Sequence, residues 1–273
     1  MRKLILTFSA GLAAMFSYGA IAAATAWQQA DHIQVRLLSN VDTLSPDSTI
    51  FLGLELKPDE HWHVYWKNPG DSGMPIKFSL SDTPALQKEK LLWPIPEKIP
   101  FGDLTNFGYE GQLILPMQVK VSKVDDTTVI KSDASWLVCK ESCIPGKASF
   151  EMQLPKGQSL KAAAEEPEIR RFAAEEAREL PLMQGQMHDE GDHLSIELFA
   201  RKPVFKDDSV IEFFPVNESL FSASAKAEMK WKNNFLKLKQ KKSDSFFSVP
   251  ELISGLLVID GQAWEFSFKP SSN

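Results

Sequence analysis

Cysteine is almost missing from this chain: two in 273 residues, Cys139 and Cys143, four positions apart. A pair so close in sequence cannot staple a large fold, so hydrophobic cores have to hold the chain. Long apolar runs are missing as well. Beyond the N-terminal segment no stretch reaches 18 consecutive apolar residues, so no further membrane-spanning helix is expected and the mature chain should be soluble or at most peripheral. Positive charge is sparse. The formal net charge is −6, and only Lys237–Lys242 is dense in lysine; nucleic acid is therefore not an expected partner. There is no phosphate loop, no dinucleotide fingerprint and no Ser/His/Asp constellation with motif support. The reading calls for no organic cofactor and no metal ligand set.

What is present begins with Arg2 and Lys3, followed by an apolar stretch from Leu4 to about Ala22 and the small residues Ala22-Ala23-Ala24-Thr25-Ala26. Basic, apolar and small residues in that order are the pattern of a secretory signal peptide. The expectation is a cleaved segment 1–26 and export, to a compartment where disulfides form and persist. The remaining length suits two domains.

Strand patterns recur along the first half, in 32–37, 49–56, 76–80, 113–121, 128–130, 134–138 and 148–154, and 32–37 alternates polar and apolar with a period of two. Such alternation marks half-buried strands. Turn chemistry separates them, as in Asn68-Pro69-Gly70-Asp71-Ser72-Gly73 and Trp93-Pro94-Ile95-Pro96. Many short strands between turns predict a β-sandwich. From Ser159 to Leu180 the composition shifts to Ala, Glu and Arg, with Pro167 near the start and Ile169, Phe172 and Ala173 for one face; this predicts a helical connector. Strand patterns then return, and Asp260-Gly261 marks a hairpin. The predicted fold is all-β: two immunoglobulin-like β-sandwich domains, 27–156 and 182–273, joined by a helical connector at 157–181.

The cysteines lie in Trp136-Leu137-Val138-Cys139-Lys140-Glu141-Ser142-Cys143-Ile144-Pro145-Gly146. Four residues of straight strand span about 13 Å, whereas a disulfide needs Cα atoms about 4.4–6.8 Å apart. The chain must turn between them if they are to bond. Three uses of the pair remain open from the spacing. A structural staple closing so short a loop contributes only about 2 kcal/mol in the loop-entropy view. A metal site would need further ligands, for which His61 and His63 are at hand, both on one side of a strand. A redox pair would open and close with little disturbance of the fold. Lys140 and Glu141 act in opposite senses on a neighbouring thiol. Trp62, Tyr65 and Trp66 read as core aromatics, Asn68 to Asp71 as a turn held by side-chain hydrogen bonds, and His61 with His63 as a solvent-facing pair.

Four blocks taken together resemble the DsbD N-terminal-domain family. His61-Trp62-His63-Val64-Tyr65-Trp66-Lys67-Asn68-Pro69-Gly70-Asp71-Ser72-Gly73-Met74-Pro75 is similar to that family's WHxYWxNPGDSGxP signature. Trp93–Pro96 and Phe107–Gly111 resemble the next two blocks, and Trp136–Gly146 the cysteine block. The form resembles the branch containing the N-terminal region of ScsB, in which a second β domain follows the first.

The resemblance implies an immunoglobulin-like periplasmic domain. It would take electrons from a membrane electron transporter of the DsbD/CcdA type and pass them to thioredoxin-like proteins, disulfide isomerases or cytochrome c maturation factors. It implies that Cys143 forms the mixed disulfide and Cys139 resolves it, with Phe107 and Tyr109 as the aromatic part of a cap loop over the pair. Two departures stand out. The gap between the cysteines is shorter than in the best-known members, and Thr105-Asn106 stands where those members carry an acidic pair. A copper-binding or copper-tolerance role through the same cysteines, and a non-enzymatic interaction module with an inert disulfide, are the alternative functions.

Overall fold

The structure is a computed structural model that describes residues 23–270. Most of the expected signal peptide lies outside the described residues. Among those described, no helix is long and apolar enough to cross a membrane.

The first half forms two sheets. One runs in the order Gln28–Ala30, Ile33–Ser39, Thr49–Pro58, Leu113–Val121, Leu86–Leu91. The other runs Cys143–Pro155, Thr127–Cys139, His63–Gly70, Leu104–Glu110, Glu97–Phe101, with Lys77–Leu80 also paired to Thr127–Cys139. Ile33, Val35, Leu37, Ile50, Leu52, Leu54 and Leu56 of the first sheet are fully buried and share a core with Val64, Trp66, Trp136 and Val138 of the second. Burying one such side chain is worth about 1.5–3 kcal/mol, so this core, and not the single disulfide, holds the half together.

The expected helix is present but short, Glu166–Ala173, with a proline in its first turn. Ile169 and Phe172 are its buried residues. Ile169 packs above Gly53, where an added Cβ would stand 3.4 Å from the Ile169 side chain and 2.8 Å from that of Ile114. The flanks that the Ala/Glu-rich composition placed in the helix are captured by sheets. Lys161–Ala162 pairs with Val41–Thr43, and Arg178–Glu179 runs parallel to Gln262–Phe268. Backbone hydrogen bonds offered by neighbouring strands outweigh helix propensities that differ by only tenths of a kcal/mol per residue.

The second half is a further pair of four-stranded sheets. These run in the orders Arg178–Glu179, Gln262–Phe268, Ile253–Ile259, Ile211–Pro215 and Leu182–Glu190, His193–Ala200, Phe235–Lys241, Glu228–Lys232. Between them lies a second core that includes Leu194, Ile196, Leu198, Phe213, Leu236, Leu257 and Phe266. Asp260 and Gly261 both take positive φ, 50° and 79°, and close the hairpin that the Asp-Gly pair marks. The fold is thus all-β with a minor helix, as the alternation predicted. The two cores are not sealed from one another: Phe214, Ala223, Leu256 and Ala263 of the second half are buried in the first core.

Candidate redox site

The site grows from one long hairpin. Thr127–Cys139 and Cys143–Pro155 pair antiparallel from Thr127↔Pro155 up to Cys139↔Cys143, with Lys140, Glu141 and Ser142 closing the end. This is the turn that the spacing demands. It brings the two Cα atoms to 4.2 Å, and the sulfurs are bonded. The two cysteines differ sharply in access. Cys139 is fully buried, while Cys143 is exposed, as are the three loop residues before it.

Cys139 pairs on its other side with His63, whose strand continues through Val64, Tyr65 and Trp66. Alternation sends Val64 and Trp66 into the sandwich core and leaves His63 and Tyr65 on the opposite face of the strand, with the sulfurs. The Tyr65 hydroxyl donates to Cys139 Sγ at 2.9 Å and lies 3.6 Å from Cys143 Sγ. Asn106 is fully buried and organises the face. Its Nδ2 donates to Tyr65 Oη at 3.3 Å and lies 3.2 Å from His63 Nε2. Its Oδ1 accepts from Ser72 Oγ at 2.8 Å. With the Asn106 amide donating to Nε2, the neutral His63 ring carries its proton on Nδ1. Burial lowers the His63 pKa, opposed in part by the nearby Glu110. Burial also pushes the Tyr65 phenol up to about 12.

Backbone geometry fits these side chains. Gly73 has φ +104°, and a Cβ there would stand 2.1 Å from Tyr65 Cε1. Only a residue without a side chain lets this loop lie against the Tyr65 ring. Gly108 sits opposite Tyr65, and a Cβ there would be 2.1 Å from the Val64 carbonyl oxygen. The result is a buried array of hydrogen-bond donors beneath one sulfur and open access to the other, a geometry suited to thiol–disulfide exchange.

Residues 29–155 match the family model described as thiol:disulfide interchange protein DsbD, N-terminal. They belong to the DsbD N-terminal family. No curated protein sequence matches the chain. Among solved structures, the N-terminal periplasmic domain of ScsB from Proteus mirabilis aligns with a TM-score of 0.67 at 16% identity, over 92% of this chain and all of that one. It therefore shares the fold across both halves. The MSCRAMM ACE of Enterococcus faecalis, at 9% identity over 92% of this chain and 98% of its own, has a TM-score of 0.20, too low to carry an argument.

Within this DsbD-type domain the cap assignment for Phe107 and Tyr109 needs correcting. Both are buried in the sandwich core. The Phe107 ring packs edge-on against Phe214 at 5.3 Å, and the Tyr109 hydroxyl donates to the Pro94 carbonyl. Their strand alternates so that Asn106, not Phe107, faces the sulfurs. The aromatic ring that this hairpin sets beside His63 is Phe101, edge-on at 6.4 Å.

The expected solvent-facing histidine pair is also overturned. His61 sits in a turn at φ 68° and is mostly exposed, whereas His63 is buried. The left-handed backbone at His61 breaks the strand alternation that would have put both on one side. Among the described residues no group of three or more His, Cys, Asp or Glu side chains is placed to hold a metal ion.

The Asn68–Asp71 turn does more than turn. Asn68 Oδ1 accepts from the Gly70 amide, as expected of such a turn, but its Nδ2 donates to the Pro215 carbonyl in the second half. Asp71 accepts backbone N–H groups from Thr105, Ala223 and Ser224. Sequence reasoning missed Tyr65, Asn106 and Ser72 as members of the site. The available signal was the family position at which Asn106 replaces an acidic residue.

Proposed function

We propose that this chain is an exported thiol–disulfide exchange protein that meets its partners through Cys143. The observation carrying this reading is the unequal access of the bonded sulfurs, one buried over a hydrogen-bond donor and one exposed at the tip of a hairpin. A partner thiolate can reach only the exposed sulfur, and the buried one leaves. Membership of residues 29–155 in a family described as thiol:disulfide interchange supports the same chemistry.

On this reading Cys143 is the exchanging cysteine and Cys139 the resolving one. The signal peptide 1–26 directs the chain to the periplasm, a reading supported by the periplasmic ScsB domain that shares the fold. Residues 27–156 form the redox domain, 157–181 the connector and 182–273 a second sandwich; the two hydrophobic cores support that division. Electrons enter from a membrane transporter of the DsbD/CcdA type and leave to thioredoxin-like or disulfide isomerase proteins.

The test is trapping in cells. Cys139→Ser should accumulate a mixed disulfide through Cys143, and Cys143→Ser should accumulate none. A disulfide that resists a protein dithiol, or equal trapping by both variants, would sink the proposal.

A further inference from the structure

We propose that Tyr65 is a catalytic residue of this exchange, its phenolic O–H receiving the charge that arrives on Cys139 when Cys143 is attacked. This rests on the reading above, in which Cys143 is the sulfur a partner meets first.

The step balances as follows. A thiolate of a partner dithiol attacks Cys143 Sγ; a bond forms between the partner's sulfur and Cys143 Sγ, and the Cys143–Cys139 bond breaks. The electron pair of the broken bond stays on Cys139 Sγ as a thiolate. The partner's second thiolate then attacks the partner's own sulfur in the mixed disulfide and releases Cys143 as a thiolate. The partner dithiol has become a disulfide and the pair here a dithiol, a transfer of two electrons. In the reverse direction Cys139 attacks Cys143 Sγ, and the same thiolate is the reactant.

The thiolate on Cys139 forms where water does not reach, since that residue is fully buried. An unsolvated thiolate is disfavoured and its pKa is driven up unless a donor meets it. Tyr65 Oη is such a donor, 2.9 Å from Cys139 Sγ and farther, at 3.6 Å, from Cys143 Sγ. The preference is for the sulfur that leaves. The phenol is aimed beforehand: Asn106 Nδ2 donates to the phenolic oxygen at 3.3 Å, which leaves the phenol's own hydrogen for the sulfur. Asn106 is itself held by Ser72 at 2.8 Å, and the Gly73 backbone lies against the ring. A donor fixed in place before charge develops is the arrangement that stabilises an anionic transition state without reorganisation.

Other sources of stabilisation are weak here. His63 is held neutral by burial, with Glu110 facing it, so it lends no positive charge. Lys140 and Glu141 are exposed, opposite in sign and screened by solvent. The Tyr65 phenol, pushed up to about 12, keeps its proton where thiols ionise, so it serves as a donor and not as a base.

The experiment uses the full chain with Tyr65→Phe, which removes one oxygen atom. Two quantities are read: the rate of disulfide reduction by dithiothreitol, and the Cys139 thiol pKa from thiolate ultraviolet absorbance in a Cys143→Ser background. A hydrogen bond to a charged acceptor predicts reduction slower by about tenfold or more and a Cys139 pKa higher by about one unit. Should Tyr65→Phe fail to fold, 3-fluorotyrosine placed at position 65 gives a more acidic donor of nearly the same size, and the Cys139 pKa must then fall. Unchanged rate and pKa, with wild type still reduced and Cys139→Ser still trapping a partner, overturn the Tyr65 assignment and leave the exchange reading standing. A wild-type disulfide inert to the dithiol overturns both.

Discussion

The amide of Ala223 donates to Asp71 Oδ1 at 2.7 Å across 152 positions of sequence, tying the second half of the chain to the loop behind the redox site. Ser224 donates to the other carboxylate oxygen at 2.8 Å, and Thr105 shares that oxygen at 3.1 Å. Thr105 precedes Asn106, the residue that aims Tyr65. The second half therefore buttresses the sulfur environment through one carboxylate.

Asp71→Ala would strip an acceptor from three backbone donors. The expected loss is on the order of 3 kcal/mol in urea unfolding, since hydrogen bonds to a charged group count for more than neutral ones. Disulfide reduction should slow in the same variant because Asn106 loses its anchored neighbour. Stability and exchange both within error of wild type would show that the clamp is unimportant.

Gly73→Ala is expected to cost about 1–3 kcal/mol, combining an unfavourable φ of +104° with a collision at the Tyr65 ring. Gly102, at φ +61° with nothing within 4 Å of an added Cβ, is the control. Alanine there should cost about 1 kcal/mol, the backbone share alone. Equal destabilisation by the two substitutions would refute the ring contact as the cause.

Phe214→Ala removes a ring that is 1% exposed and packs edge-on against Phe107 at 5.3 Å and Trp66 at 6.2 Å. A cavity of that kind costs about 3–5 kcal/mol. Because the ring comes from the second half and fills the first core, calorimetry should show the loss in the unfolding of the redox half. A thermogram in which only a separate second-half transition moves would contradict this shared packing.

The pH dependence follows from His63. Its ordinary pKa is 6.5, and burial lowers it in the folded protein. Above pH 6.5 the ring is neutral in both states and contributes no slope. Below 6.5 the unfolded chain takes up a proton that the folded chain resists, so stability falls as pH drops toward the folded value. Urea midpoints measured from pH 7.5 down to 5 should decline, and His63→Gln should flatten that decline. An identical slope in the variant would remove His63 as its source.

Much of this was legible in one dimension. Alternation exposed the strands of the long hairpin, in 134–138 and 148–154, because one buried face imposes a period of two. The strand His63–Gly70 was harder to read. It is buried on both faces and ends in Asn-Pro-Gly, so its aromatics looked like generic core and its end like a plain turn. Composition overstates the helix in the connector because it cannot register the strands that pair with Lys161–Ala162 and Arg178–Glu179.

Residue order alone requires that two sulfurs four positions apart meet at a turn, if they meet at all, and patterns the chain for an all-β scaffold. Which sulfur is buried, that Tyr65 rather than Phe107 faces it, and that Asp71 reaches the second half emerge from the folded arrangement. Spacing and periodicity constrain neighbours along the chain, whereas access, hydrogen-bond aim and contact between the two halves depend on which strands and loops lie side by side. Strand pairing joins His63 to Cys139, and a loop hydrogen bond joins Asp71 to Ala223, across intervals that no local pattern encodes.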